Sequence, residues 1–123
     1  MNFLFNCILD FELLIPKRSK ILVINIENML PLLFDEMYEG KAHEFRKLSY
    51  QAVSVRELRD MGFRLQYDYS IISYTSKNRM ILITEDNESY GGCMENQIPC
   101  VKLGQNPSND EIIEKLKKFE NLS

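Results

Sequence analysis

The chain has 123 residues, enough for one domain with a sizeable core and too few for a second of similar size. With 45% hydrophobic and 27% charged residues it has the composition of an ordinary soluble globular protein. A net charge of -3 argues against gripping long duplex DNA by bulk electrostatics, and one histidine with three cysteines, none in a Cys-x-x-Cys pair, argues against a thiolate–imidazole zinc site. Cys7, Cys93 and Cys100 read instead as reduced thiols of a cytoplasmic protein, with Cys93 and Cys100 packed in the core.

Residues 1–28 stand apart. "FLFNCILDFELLI" is apolar but carries Asp10 and Glu12 with no basic residue before it, the pattern of neither a signal peptide nor a membrane span. "PKRSK" reads as a solvated turn and "ILVINI" (21–26) as a buried strand. The segment is set aside as an N-terminal extension, either an additional structural element or an upstream addition. The domain proper is taken as 29–123.

From Met29 onward strands and helices alternate. "LPLLFD" (30–35) is a short strand ending in Asp35 and Glu36, and "EGKAHEFRKLSY" places Ala42, Phe45 and Leu48 on one helical face. "QAVSV" (51–55) is a second strand, followed by "RELRDMGF", a polar connection turning at Gly62. "YDYSIISYTSKN" opens a helix with Asp68 as its N-cap, and "RMILIT" (79–84) is the third strand. "ESYGGCMENQ" starts as a Gly-Gly loop and becomes a short helix; "YGG" (90–92) is a flexible turn too short for a phosphate loop. "IPCVKL" (98–103) is the fourth strand. The last helix is capped by Ser108 or Asn109, with Asp110 and Glu111 in its first turn and Lys115, Lys117 and Lys118 toward its end. Nearly continuous apolar strands separated by helices imply an α/β fold of three layers, with a short, mainly parallel sheet covered by helices on both faces.

In such a sheet every strand-to-helix connection leaves from one edge. Asp35 ends the first strand, Glu57 and Asp68 follow the second, and Asp86 and Glu88 follow the third, so three strands deliver acids to one rim. Oxygen ligands of this kind suit Mg²⁺ or Mn²⁺, which polarise a phosphodiester and generate hydroxide near neutral pH. Taken singly, Asp68 is an ordinary N-cap, and Glu36 and Glu57 are solvated side chains of second rank. Thr84 either holds a metal-bound water or an acid in place, or fills a strand end as a β-branched residue. Arg56, Arg59 and Arg64 lead toward Asp68 and are placed to bind phosphate, or else belong to a solvated loop. His43 is a structural histidine away from the rim.

In this order, "LPLLFDE", "VSVREL", "YDYSII" and "ILITEDNE" resemble the PIN-like nuclease superfamily, in particular its small stand-alone subgroup related to VapC-type toxins. The resemblance runs from about Met29 to the C-terminus. It carries the family's acids onto Asp35, Asp68, Asp86 and Glu88, which it implies are catalytic and hold Mg²⁺ or Mn²⁺. This chain departs from the family in having Glu88 where Asp is usual and Ser89 where an aromatic residue is usual. The resemblance implies a ribonuclease hydrolysing single-stranded RNA, a toxin of a toxin–antitoxin pair or an RNA-processing enzyme, with an antitoxin protein or a second copy of the chain as partner. The alternative it leaves is a catalytically weak or inactive PIN-like protein-binding module. A receiver-like phosphoacceptor domain also gathers aspartates at strand ends but needs a lysine after a late strand, which Lys102, inside the fourth strand, does not supply.

Overall fold

Four stretches too short to hold a sheet by themselves form one by pairing side by side. They are β1 (Leu32–Phe34), β2 (Ala52–Ser54), β3 (Ile81–Thr84) and β4 (Cys100–Lys102), all parallel, in the order β2-β1-β3-β4. The structure, a computed structural model, describes residues 29–120; the segment 1–28, with Cys7 and the strand expected at "ILVINI", lies outside the described residues.

The strands are apolar almost throughout because both faces are covered. Successive side chains point to opposite faces. Leu32, Phe34, Ile81, Ile83 and Val101 face α1 (Glu39–Lys47) and α5 (Asn109–Leu116), where they meet Ala42, Phe45, Ile112 and Leu116. Leu33, Leu82 and Cys100 face α2 (Val55–Asp60), α3 (Asp68–Lys77) and α4 (Asn87–Glu95), where they meet Leu58, Ile71 and Cys93. Full burial of each large apolar side chain is worth about 1.5–3 kcal/mol, so these two clusters carry the fold. The expected three-layer α/β architecture is present, and Cys93 and Cys100 are buried free thiols within it. No described helix is long and apolar enough to cross a membrane.

Three local expectations are corrected. Leu48 does not continue the buried face of α1; it stands just beyond the last turn and is 43% exposed. "RELRDMGF" is not a polar connection but mostly α2. Ser54 accepts the Glu57 N–H (3.0 Å) while Glu57 Oε1 accepts the Ser54 N–H (2.9 Å), a reciprocal cap that fixes the helix start. The chain then turns at Gly62, whose φ of +103° suits a residue without Cβ.

"YGG", expected as a flexible turn, lies inside α4. Helix interiors disfavour glycine, so packing must compensate. A Cβ at Gly92 would stand 2.7 Å from Ile72 Cδ1, so glycine there lets α4 approach α3 closely. A Cβ at Gly91 would meet nothing within 4 Å. Gly91→Ala should therefore raise unfolding stability by about 0.5–1 kcal/mol, whereas Gly92→Ala should gain less or lose, because Ile72 must move. Urea denaturation of both variants checks this; an equal gain at the two positions would contradict the packing role of Gly92.

Candidate functional site

The strand order sets where a ligand could enter. The connection leaving β1 runs to β2 on one side, and the connection leaving β3 runs to β4 on the other. Between them, at the carboxyl ends of β1 and β3, lies the topological switch point, the place where open α/β folds carry a ligand-binding crevice. Asp35 follows β1 directly, and Asp86 lies two residues beyond β3. Both therefore stand on the same edge of neighbouring strands.

Asp35 is only 7% exposed, and its carboxylate is held at both oxygens. Oδ1 accepts the Glu36 N–H (2.8 Å), and Oδ2 accepts the hydroxyl of fully buried Thr84 (2.7 Å). The Asp35 N–H donates to the Ile83 carbonyl (2.9 Å), carrying the β1–β3 ladder one residue past the strand. Thr84 Oγ1 in turn accepts the Asp86 N–H (3.0 Å). Thr84 therefore holds an acid in place while also filling the buried end of β3.

Asp86 is the N-cap of α4, its Oδ2 accepting the Ser89 N–H (3.2 Å) and the Ser89 hydroxyl (3.0 Å). Asp68 is not the N-cap expected of it. Tyr67 holds the cap position, and Ser70 Oγ reaches back to accept the Tyr67 N–H (3.2 Å). Asp68 is thus the first residue inside α3, and its carboxyl turns to Ser89 and Asp86 instead of its own helix.

The three carboxyls feel one another. Burial pushes Asp35 up, opposed by the Thr84 hydroxyl; the negative charge of Asp86 adds to the rise and Arg59 moderates it. Burial also pushes Asp68 up, and although Ser89 acts against this, Asp86 and Asp35 both reinforce it. Burial works the same way on Asp86, yet hydrogen bonds from the Ser89 hydroxyl and N–H, the Glu88 N–H and Asp68 outweigh it and hold Asp86 below the usual range. The pair is consequently polarised: Asp68 is the member that keeps a proton longer and Asp86 the member that stays ionised.

Other expected residues are distributed unevenly. Glu88 is exposed in the first turn of α4 and lines a groove of about 710 Å³ with Asp68, Tyr69, Ser73, Lys77 and Asn96. Glu36 pairs with Arg59, whose Nε also donates to the Leu65 carbonyl (2.6 Å), so Arg59 is the arginine that reaches the acid rim. Glu57 is not brought to the site. Its two oxygens face Arg46 (2.9 and 2.7 Å), which lowers its pKa. Arg56 lies 3.8 Å from Asp60 on the exposed side of α2, and Arg64 is exposed beyond it. His43 is exposed on α1.

Two residues escaped sequence reasoning. Ser89, seen there only as a departure from a family pattern, is fully buried against Asp86 and Asp68; the Asp-x-x-Ser spacing of a helix cap was its signal. Tyr38 donates its hydroxyl to the Gly104 carbonyl (2.6 Å), tying the segment after β1 to the segment after β4. Burial, with Glu85, Glu111 and Asp35 nearby, pushes its pKa up to about 12. No local pattern announces that contact.

Among the described residues, no three acidic, histidine or cysteine side chains already stand at the spacing of direct metal ligands. The donors gathered here are carboxylates and hydroxyls, a hard-oxygen set that suits Mg²⁺ or Mn²⁺ held partly through water. Asp35, Asp68 and Asp86 are the residues that would hold such an ion, with water bridging the contacts that their spacing leaves open. No protein-family model, curated protein or solved structure matches the chain.

Two outcomes follow from this geometry. Asp68→Asn keeps a donor toward Asp86 but removes a carboxyl that is costly to ionise in the folded state. A raised folded pKa gives a contribution fully present below the unfolded value and lost as pH rises through the folded one. In EDTA the variant should therefore melt higher than wild type at neutral pH, with the advantage fading as the pH falls through the raised pKa to the ordinary 3.8 and below. A melting series against pH checks it, and a lower melting point at neutral pH would refute it. Thr84→Val preserves shape but removes the hydroxyl shared by Asp35 and the Asp86 N–H. It should cost about 1.5–3 kcal/mol at neutral pH, the range for hydrogen bonds to charged groups, as read by chemical denaturation.

Proposed function

We propose that the chain is a metal-dependent ribonuclease of the PIN-like kind, hydrolysing phosphodiester bonds of single-stranded RNA. The observation that supports this reading best is the delivery of Asp35, Asp68 and Asp86 from three elements to the crevice between β1 and β3, with two of them pushed up by burial and mutual repulsion. A site that strains its own anions is poised for a cation. Mg²⁺ or Mn²⁺ bound there would supply charge neutralisation and an activated water for attack on phosphorus.

The chain's own groups divide the remaining work. Asp86, held ionised by Ser89, is the constant anion of the site. Asp35, immobilised by Thr84 and the Glu36 N–H, has little freedom to swing away. Asp68, the member that accepts a proton more readily, is suited to accept one from an incoming water. Arg59, at the rim beside Asp35, supplies a guanidinium that can meet phosphate oxygens. Glu88, exposed beside Asp68, would act through water. A toxin of a toxin–antitoxin pair, opposed by a small antitoxin protein, is the biological setting that fits this reading.

Cleavage of single-stranded RNA should require Mg²⁺ or Mn²⁺, stop with EDTA, and fall by about 10²-fold or more in Asp35→Asn and Asp86→Asn, as expected when electrostatic stabilisation is lost. Independently of activity, Mn²⁺ should raise the melting temperature of wild type, by about 2.7 kcal/mol of stability at a hundredfold excess over its Kd, and not that of Asp86→Asn. Cleavage undiminished in Asp86→Asn would mark a contaminating nuclease. A folded protein that neither cleaves several RNAs nor responds to Mn²⁺ would instead be a protein-binding module.

A further inference from the structure

Two tyrosines flank Asp68 in sequence, and neither is in the core. Tyr67 is 60% and Tyr69 71% exposed. Their rings lie parallel, at 6° and 5.6 Å between centroids. Large aromatic side chains contribute most when buried, so a pre-stacked, open pair on either side of Asp68 in the chain is an unfilled surface. Behind Tyr69 the groove between α3 and α4 continues with Ile72 and Ile98 as apolar floor, Ser73, Ser76 and Asn96 as hydrogen-bonding groups, and Lys77. Tyr69, Ser73 and Lys77 recur every four residues, so they follow one face of α3. From Asp68 to Lys77 the helix advances roughly 14 Å.

We propose that the Tyr67–Tyr69 stack and the groove along α3 form a nucleobase subsite that holds single-stranded nucleic acid beside Asp68. It rests on the reading of the acid cluster as a phosphodiester-cleaving centre and adds where the strand lies. A third ring can extend an existing parallel stack without side-chain rearrangement, and any base offers a π-face, so the subsite tolerates sequence. Paired bases are already stacked inside a duplex, which makes the surface selective for single strands. The serines and Asn96 offer partners for base edges or ribose hydroxyls, and Lys77 a point charge for a phosphate. Glu88 on the α4 wall repels phosphates, which keeps the backbone toward the Lys77 side. An acidic protein gains little affinity from bulk charge, so stacking supplies what the backbone contacts do not.

The test is fluorescence anisotropy of a short labelled single-stranded oligoribonucleotide, and of the duplex of the same sequence, titrated with the full chain in Ca²⁺, whose looser coordination favours binding over cleavage. Tyr67→Ala and Tyr69→Ala should each weaken single-strand binding by roughly 5- to 150-fold, the range for loss of one stacked base. Tyr69→Phe should stay close to wild type, and duplex binding should be weak and unchanged. Both side chains are mostly exposed, so circular dichroism should show folded variants. Folded alanine variants that bind the single strand as wild type does would overturn the subsite, while RNA cleavage that still required Asp35 and Asp86 would leave the nuclease reading standing. Equal losses for duplex and single strand would also overturn it. So would a wild-type protein that binds no strand but forms a dimer abolished by Tyr69→Ala, since the rings would then cover a second copy of the chain.

Discussion

The hydroxyl of Thr84 joins the sheet to the site. Fully buried at the end of β3, it donates to Asp35 Oδ2 and accepts the Asp86 N–H, so one side chain fixes two acids on neighbouring strands. A buried carboxylate without partners would cost several kcal/mol and take up a proton instead. With this hydroxyl and the Glu36 N–H, Asp35 has a partner at each oxygen. The same bridge sets the backbone of Asp86 where its carboxylate can cap α4, and through Ser89 the cap reaches Asp68. The path from strand to acid to helix cap to second helix is continuous.

That path explains why the acids need the fold and the fold bears the acids. The parallel sheet buries its strands on both faces, so polar side chains are expelled to the strand ends. With β1 central and its connection leaving away from β3, the expelled acids of β1 and β3 meet over a gap. Holding them there is a standing cost, visible in the upward push on Asp35 and Asp68, which comes first from burial and then from the neighbouring negative charges. Two devices limit it without abolishing it: Arg59 lends positive charge at the rim, and Ser89 stabilises the ionised form of Asp86. Glu57, close in sequence to Arg59, is diverted to Arg46 and the start of α2, where it ties α1 to α2.

What could be read from the sequence divides by range. The strands were legible because burial on both faces leaves continuous apolar runs such as "ILIT", and Asp35 and Asp86 because they stand one and two residues beyond such runs. The α5 cap was legible to within one residue, with Ser108 holding the Glu111 N–H. The helix α2 carried a legible signal in Ser54-x-x-Glu57 that its polar surface obscured. The Gly-Gly pair in α4 misled because propensity pointed to a loop, and only the approach of Ile72 shows why glycine is tolerated in that helix. Asp68 misled by a single position: with Tyr67 at the cap, the aspartate is freed for a tertiary contact that no local rule encodes. The Tyr38–Gly104 bond spans 66 residues and could not be read at all.

The position of Asp68 also connects the chemistry with the exposed aromatic surface. Had it been the cap, its carboxyl would have turned back to the first-turn N–H groups of α3. With Tyr67 at the cap instead, held through Ser70, residues 67 and 69 are locked to the helix start and their rings lie parallel. One local choice therefore aims the carboxyl inward at Asp86 and displays two rings outward beside it. A side chain that could have served only its own helix is committed to the crevice, and the helix start is secured by a neighbouring serine. An acid released from capping in this way is free to bind or to exchange a proton, which is what a site built on Asp35 and Asp86 would require of its third member.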